Sequence, residues 1–191
     1  MNSEYKINIA FAGGPCTGKS TLAAFLFATL KNQGYDYDLI AEESRKLKNE
    51  FGDYRSPFER FYMWRQQNRE EERSNALNGF ITDHPLFQFY ISAKMYGSEP
   101  RDELAVRELL RMCFEVKERY QLIVLAKNPE EISYKEDQVR HAGNQARLQR
   151  HALTRSFVEH FIPEKLYFVD GSLENRLAQV QHKLQEMGLT Y

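Results

Sequence analysis

Several common ways of organising a protein are closed to this chain by what it contains little of. Two cysteines, Cys16 and Cys113, supply neither a disulfide framework nor metal-ligand spacing, and each reads as a small packing residue. No apolar run approaches the roughly 18 residues of a membrane span, and Met1-Asn2-Ser3-Glu4-Tyr5 lacks a signal-peptide pattern. A cytoplasmic protein without membrane contact is therefore expected. Charge of one sign is missing too: 26 Lys and Arg stand against 27 Asp and Glu, a formal net charge of −1. That balance argues against a protein built to wrap duplex nucleic acid. There is no internal repeat and no low-complexity tract. What remains is an ordinary globular composition, 42% hydrophobic and 28% charged over 191 residues, enough for one substantial core and read as a single domain, 1–191.

The stretch Gly13-Gly14-Pro15-Cys16-Thr17-Gly18-Lys19-Ser20 fits G-x-x-x-x-G-K-[ST], the Walker A pattern. Its context agrees, because residues 5–12 read as a short apolar strand and residues 19–33 as a helix, with Leu22, Phe25, Leu26 and Leu30 at helical spacing and Gly34 after it. Small residues let the main chain curl so that backbone N–H groups and the positive end of the helix face an anion. On this reading the loop from Gly13 to Thr21 binds ATP. Lys19 reaches the β- and γ-phosphates, Ser20 holds Mg²⁺ through its hydroxyl, and Thr21 packs or faces the base. The competing reading is a plain glycine turn before a helix.

Four further strands are expected at residues 37–41, 80–82, 121–126 and 166–169, each separated by helical sequence. Alternating β and α implies a three-layer α/β/α domain with a five-stranded, mostly parallel sheet and ligands at the carboxyl ends of its strands. Ser56-Pro57-Phe58-Glu59 reads as a helix start, with Ser at the N-cap, Pro first and Glu closing a capping box, in a helix running to about Asn78. Ser172 is a second N-cap, opening a helix that lasts to about Met187.

Residues that follow the strands should line the site. Glu42, Glu43 and Arg45 follow the second strand; Asp83 and His84 follow the third. In phosphoryl transfer one carboxylate accepts the proton of the attacking hydroxyl and another orients the hydration shell of Mg²⁺. Asp83, ending a short apolar strand, takes the metal role, and Glu42 is the candidate base or ligand of the substrate hydroxyl. The alternatives are a turn or helix cap for Asp83 and a solvated acid paired with Arg45 for Glu42. His84 is expected to be structural.

Residues 139–160 hold Arg140, Arg147, Arg150 and Arg155 with His141, His151 and His160 against the single acid Glu159. This is the strongest local charge bias in the chain. Lying between the fourth and fifth strands, it is read as a helical lid over about 128–155, with Arg140, Arg147 and Arg150 folding over the triphosphate as catalytic donors. A solvated basic helix face is the alternative, most readily for Arg155. In the helix after Ser56, spacing puts Phe58, Phe61 and Tyr62 on one packing face, while Trp64 and Gln67 are placed to meet a base by stacking and amide hydrogen bonds.

The loop with Thr21-Leu22-Ala23, the segment Leu39-Ile40-Ala41-Glu42-Glu43-Ser44-Arg45, the strand end Ile81-Thr82-Asp83 and the basic segment together resemble small P-loop ATPase/kinase domains of bacteria and phages. That family is related to the nicotinamide riboside kinase domain of a bifunctional NAD-metabolism protein, and some phage members look like kinases of 5-hydroxymethyluracil in DNA. The resemblance implies that Glu42 and Arg45 match a Glu-Tyr-Ala-Arg/Lys segment beside the substrate, Asp83 a strand-three acid, and Asp137 with Arg140 an Asp-x-x-Arg lid segment. The chain departs from the pattern at Glu43, His84 and Gln138, where the family or its relatives have Tyr, Arg and Gly.

Together these readings favour an ATP- and Mg²⁺-dependent kinase acting on a nucleoside- or nucleotide-like acceptor. Kept beside it are a kinase of a modified base carried in DNA, a P-loop ATPase coupled to a partner, and a non-catalytic nucleotide-binding protein.

Overall fold

A computed structural model describes residues 6–41, 57–97, 99–132 and 143–189. Its strands are β1 (Ile9–Ala12), β2 (Tyr37–Ile40), β3 (Gly79–Thr82), β4 (Leu122–Ala126) and β5 (Leu166–Val169). They form one sheet in the order β2-β3-β1-β4-β5, and all four pairings are parallel. Parallel neighbours require crossovers, which here are helical: α1 (Lys19–Asn32), α2 (Glu59–Arg73), α3 (Phe87–Tyr96), α4 (Asp102–Glu115), α5 (Gly143–Phe161) and α6 (Leu173–Glu186).

Strand alternation sorts the chain into two cores. Ile9 and Phe11 of β1 point to one face with Leu122 and Val124, where α1 (Leu22, Leu26, Leu30) and α6 (Val180, Leu184) cover them. Ala10 and Ala12 point to the other with Ile123 and Leu125, under Met63 and Trp64 of α2, Phe89 of α3, Leu109 of α4 and Phe157 of α5. Small alanines on that face make room for a layer rich in aromatic rings. Buried on both faces, the inner strands β1 and β4 read as continuous apolar runs, as a parallel sheet requires, whereas the edge strands β2 and β5 are partly exposed.

Three local expectations are revised. Phe25 is 52% exposed, so the buried stripe of α1 is Leu22, Ala23, Leu26 and Leu30. The inward face of α2 is Met63, Trp64, Gln67 and Glu71. Of the expected packing face, Phe61 packs against the core and the Phe58 ring lies with its centroid 6.2 Å from that of Phe61, while Phe58 and Tyr62 remain about half exposed. That helix also stops at Arg73 rather than near Asn78. Ser74 turns extended, and its hydroxyl donates to Asp38 Oδ2 at 2.7 Å, while Asn78 exchanges hydrogen bonds with Asp36 beside β2. Ser56, the expected cap, lies outside the described residues. Ser172 caps α6 as expected, accepting from the Asn175 amide at 3.2 Å.

Candidate functional site

The loop between β1 and α1 turns through three left-handed backbone positions, Gly13 at φ 120°, Cys16 at φ 55° and Gly18 at φ 74°. Glycine tolerates this freely, whereas a side chain at Cys16 carries strain. Inside the turn, Thr17 Oγ1 and Lys19 Nζ both donate to the Gly14 carbonyl, at 2.9 and 2.6 Å. The first turn of α1 carries no acidic residue, and Ser20 and Thr21 stand exposed there, so the positive end of the helix is left for an outside anion.

The loop is held from behind by side chains that come from far along the chain. Arg147 of α5, 1% exposed, donates to the Cys16 carbonyl at 3.3 Å and to the Ile132 carbonyl at 3.0 Å. Arg176 of α6 donates to the Thr17 carbonyl at 3.1 Å. His151 lies between the two strand ends, its Nδ1 accepting from the Gly14 amide at 3.4 Å and its Nε2 bonded to the Ala126 carbonyl at 2.9 Å. An amide can only donate, so the ring is the neutral Nε2–H tautomer. Burial lowers its pKa to about 4, with the Lys19 ammonium adding to the effect and the Ala126 carbonyl opposing it. The packing is close: a Cβ on Gly14 would lie 2.3 Å from the Arg147 carbonyl, and one on Gly13 would lie 2.7 Å from His151 Nδ1. Close packing of α5 therefore requires both glycines, and Gly13 is required by the turn as well.

This changes the reading of the expected lid. Residues 143–155 belong to a helix packed into the body, and Arg147 faces loop carbonyls, because its stripe Arg147, His151, Thr154 and Val158 is the buried side of α5. In this structure the guanidinium donates to the Cys16 and Ile132 carbonyls, a bracing role that the sequence reading did not give it. Arg150 is half-buried on the same helix, and Arg155 is a surface residue paired with Glu159 at 2.8 Å and set over the Phe168 ring. Arg140, with Asp137, Gln138 and His141, lies outside the described residues, as do Glu42, Glu43 and Arg45.

Asp83 sits one residue past β3. Because Ala10 pairs with Thr82, it stands beside β1 just before the phosphate loop. It is buried, and Oδ1 has no hydrogen-bond partner among the described residues. A buried carboxylate oxygen left unbonded is costly, and a hydrated cation would satisfy it. One carboxylate with the Ser20 hydroxyl suits Mg²⁺, which keeps several waters and takes its other oxygens from phosphates. His84 is buried with its ring edge against Phe89.

Trp64 and Gln67 are both interior. Gln67 is fully buried, its Nε2 donating to Thr82 Oγ1 at 3.1 Å and lying 3.4 Å from Glu71 Oε1, so that amide is committed beneath Asp83 rather than presented to a base. Trp64 is 7% exposed, and its Nε1 has no hydrogen-bond partner among the described residues. His151 and Arg176 were missed as supports of the loop. The available signal was the i, i+4, i+7 spacing that puts His151 and Thr154 on one helical face with Arg147 and Val158; Arg176 gives no such signal.

The fold is shared with proteins of known structure. NadR in complex with NR superposes with a TM-score of 0.74 at 19% identity, over 99% of this chain and 55% of that one. NadR with NAD and AMP-PNP gives 0.76 at 18%, over 99% and 51%. The chain thus spans about half the length of these NadR chains. Thymidylate kinase from Candida albicans gives 0.68 at 17% identity over 96% of this chain and 92% of that one, and deoxyadenosine kinase from M. mycoides with bound dATP gives 0.67 at 16% over 94% and 99%. No curated protein matches the chain. Residues 8–176, from β1 with its phosphate loop to Arg176 behind it, match the AAA domain family, and the chain belongs to that family.

Proposed function

We propose that the protein is an ATP- and Mg²⁺-dependent kinase that transfers the γ-phosphoryl group to a nucleoside- or nucleotide-type acceptor. The observation that carries this reading is the pairing of a braced phosphate loop with the buried, unbonded Oδ1 of Asp83 at the end of the adjacent strand. Lys19 neutralises charge on the β- and γ-phosphates, and Ser20 with Asp83 holds Mg²⁺, the latter through water. The metal ion supplies charge stabilisation and fixes the phosphate oxygens. Glu42 accepts the proton of the attacking hydroxyl, Arg45 binds the acceptor, and Arg140 and Arg150 stabilise the transferring group.

The structural neighbours support the class of acceptor, since one is a deoxyadenosine kinase, one a thymidylate kinase, and a NadR chain was solved with NR; AMP-PNP bound to another supports ATP as the donor. A modified base in DNA is the less favoured acceptor, because a single strand calls for a basic track with exposed aromatics, whereas the net charge is −1 and Trp64 is buried. An acceptor screen with γ-labelled ATP tests the proposal. Free nucleosides, nucleoside monophosphates and oligonucleotides with hydroxymethylated bases form its arms. Label in a nucleoside or monophosphate supports the proposal; label only in oligonucleotides moves the activity to DNA.

A further inference from the structure

Beneath Asp83 lies a buried polar cluster that the proposed reaction does not use. Glu71 of α2, its side chain wholly buried, accepts from the Tyr120 hydroxyl at 2.9 Å and from Arg119 Nη1 at 3.1 Å. Two arms run from this carboxylate to the loop between β3 and α3. In one, Gln67 Nε2 lies 3.4 Å from Glu71 Oε1 and donates to Thr82 Oγ1 at 3.1 Å, and Thr82 Oγ1 in turn accepts from the His84 amide at 3.2 Å. In the other, the Tyr120 hydroxyl accepts from the Leu86 amide at 2.9 Å.

Of the three residues after Asp83, Pro85 has no amide hydrogen, and the amides of the other two both end in this cluster. The loop that carries Asp83 is therefore tied on either side of its proline to one carboxylate. Arg119 balances the charge that the cluster buries, as a buried acid requires. Such a cluster fixes backbone more tightly than a set of separate hydrogen bonds, because each member orients the next.

We propose that Glu71 is a positioning residue for Asp83: through Gln67 and Thr82 on one side and Tyr120 on the other it fixes the turn 83–86, and so the direction in which the Asp83 carboxylate faces the metal-bound phosphates. This rests on the metal role given to Asp83. Glu71 touches neither substrate nor metal. Groups that orient a metal's direct ligands change metal affinity by roughly 10- to 100-fold when altered; because Asp83 reaches the metal through water, Glu71 acts one step further out and the lower end of that range is its upper bound.

The test is a double-mutant cycle on the full chain, with Glu71→Gln, Asp83→Asn and the double variant, read as the Mg²⁺ concentration that half-saturates AMP-PNP binding. Glu71→Gln should raise that concentration severalfold, up to about tenfold and no more than Asp83→Asn does, and have no further effect once Asp83 is Asn. Tyr120→Phe, which frees the Leu86 amide and removes a donor to Glu71 but leaves the Gln67–Thr82 arm in place, should give a smaller rise and serves where Glu71→Gln folds poorly. Amide exchange supplies a readout free of metal and nucleotide: both single clamp variants should speed exchange at Leu86, and only Glu71→Gln at His84. Additive losses in the cycle, or unchanged exchange at both amides, overturn the proposal. Nucleotide binding by the wild type that ignores Mg²⁺ overturns the metal reading of Asp83 instead, and exchange at His84 and Leu86 still decides whether the clamp exists.

Discussion

The imidazole of His151 bridges Gly14 and Ala126, accepting from the amide of one at 3.4 Å and bonded to the carbonyl of the other at 2.9 Å, so a side chain of α5 joins the phosphate loop to the end of β4. The bridge works only while the ring is neutral, since a protonated Nδ1 would set a second donor against the Gly14 amide.

This has a consequence for stability against pH. Burial holds the His151 pKa near 4, below its ordinary 6.5, so the unfolded chain takes up a proton first and stability is lost as pH falls from about 6.5 to 4. Glu71 acts oppositely: burial raises its pKa from 4.5 to about 7, against the pull of Arg119, so stability is gained as pH falls from about 7 to 4.5. Each displacement is worth about 3 kcal/mol, and the two nearly cancel. Urea unfolding at pH 4.5 and 6.5 should show the Glu71→Gln variant losing about 2 kcal/mol more than the wild type on acidification. Parallel profiles would contradict the Glu71 assignment.

Arg147 was expected to act over the triphosphate, and in this structure it donates to the Cys16 carbonyl of the loop and to the Ile132 carbonyl. Arg147→Met keeps most of the volume and leaves the Cys16 and Ile132 carbonyls without this donor, a loss of about 1–3 kcal/mol. AMP-PNP affinity should fall with stability, because the loop loses a brace. The same change at exposed Arg155 should shift stability by about 0.5 kcal/mol or less. Calorimetric titration and urea midpoints check both; normal nucleotide affinity with a loss confined to kcat would return Arg147 to the phosphates.

The acids and the loop lysine should separate kinetically. Lys19→Ala should cost on the order of a hundredfold or more in turnover without unfolding the chain, since the loop scaffold is main chain. Asp83→Asn should raise the Mg²⁺ requirement whether the acceptor is a nucleoside or water. Glu42→Gln should lower transfer to the acceptor more than nucleotide affinity. Steady-state kinetics across Mg²⁺ concentrations distinguish them, and equal losses of nucleotide binding in both acid variants would refute the division.

Strands such as residues 122–126 were legible because a parallel strand buried on both faces is an unbroken apolar run. The phosphate loop was legible because its constraints are local, a fixed spacing of small residues and a lysine. What held the loop was not. Cys16 is 131 residues from Arg147, and Thr17 is 159 from Arg176, and nothing in local spacing marks such pairs. Charge bias in residues 139–160 suggested cover for phosphates, whereas the physical reason for Arg147 is a buried carbonyl in need of a donor. Tyr62 and Gln67 erred in opposite directions: the aromatic ring lies in solvent, and the amide is buried because Thr82 and Glu71 satisfy it.

The central claim is that this site passes phosphate to a nucleoside-type hydroxyl. The direct measurement is the division of label from γ-labelled ATP between acceptor and inorganic phosphate, with Mg²⁺, in the wild type and in Lys19→Ala. The account predicts that with a suitable nucleoside or monophosphate most label released by the wild type is found on the acceptor, and that Lys19→Ala abolishes most of it. Label appearing only as inorganic phosphate, whatever the acceptor offered, would contradict the account and make the protein an ATPase.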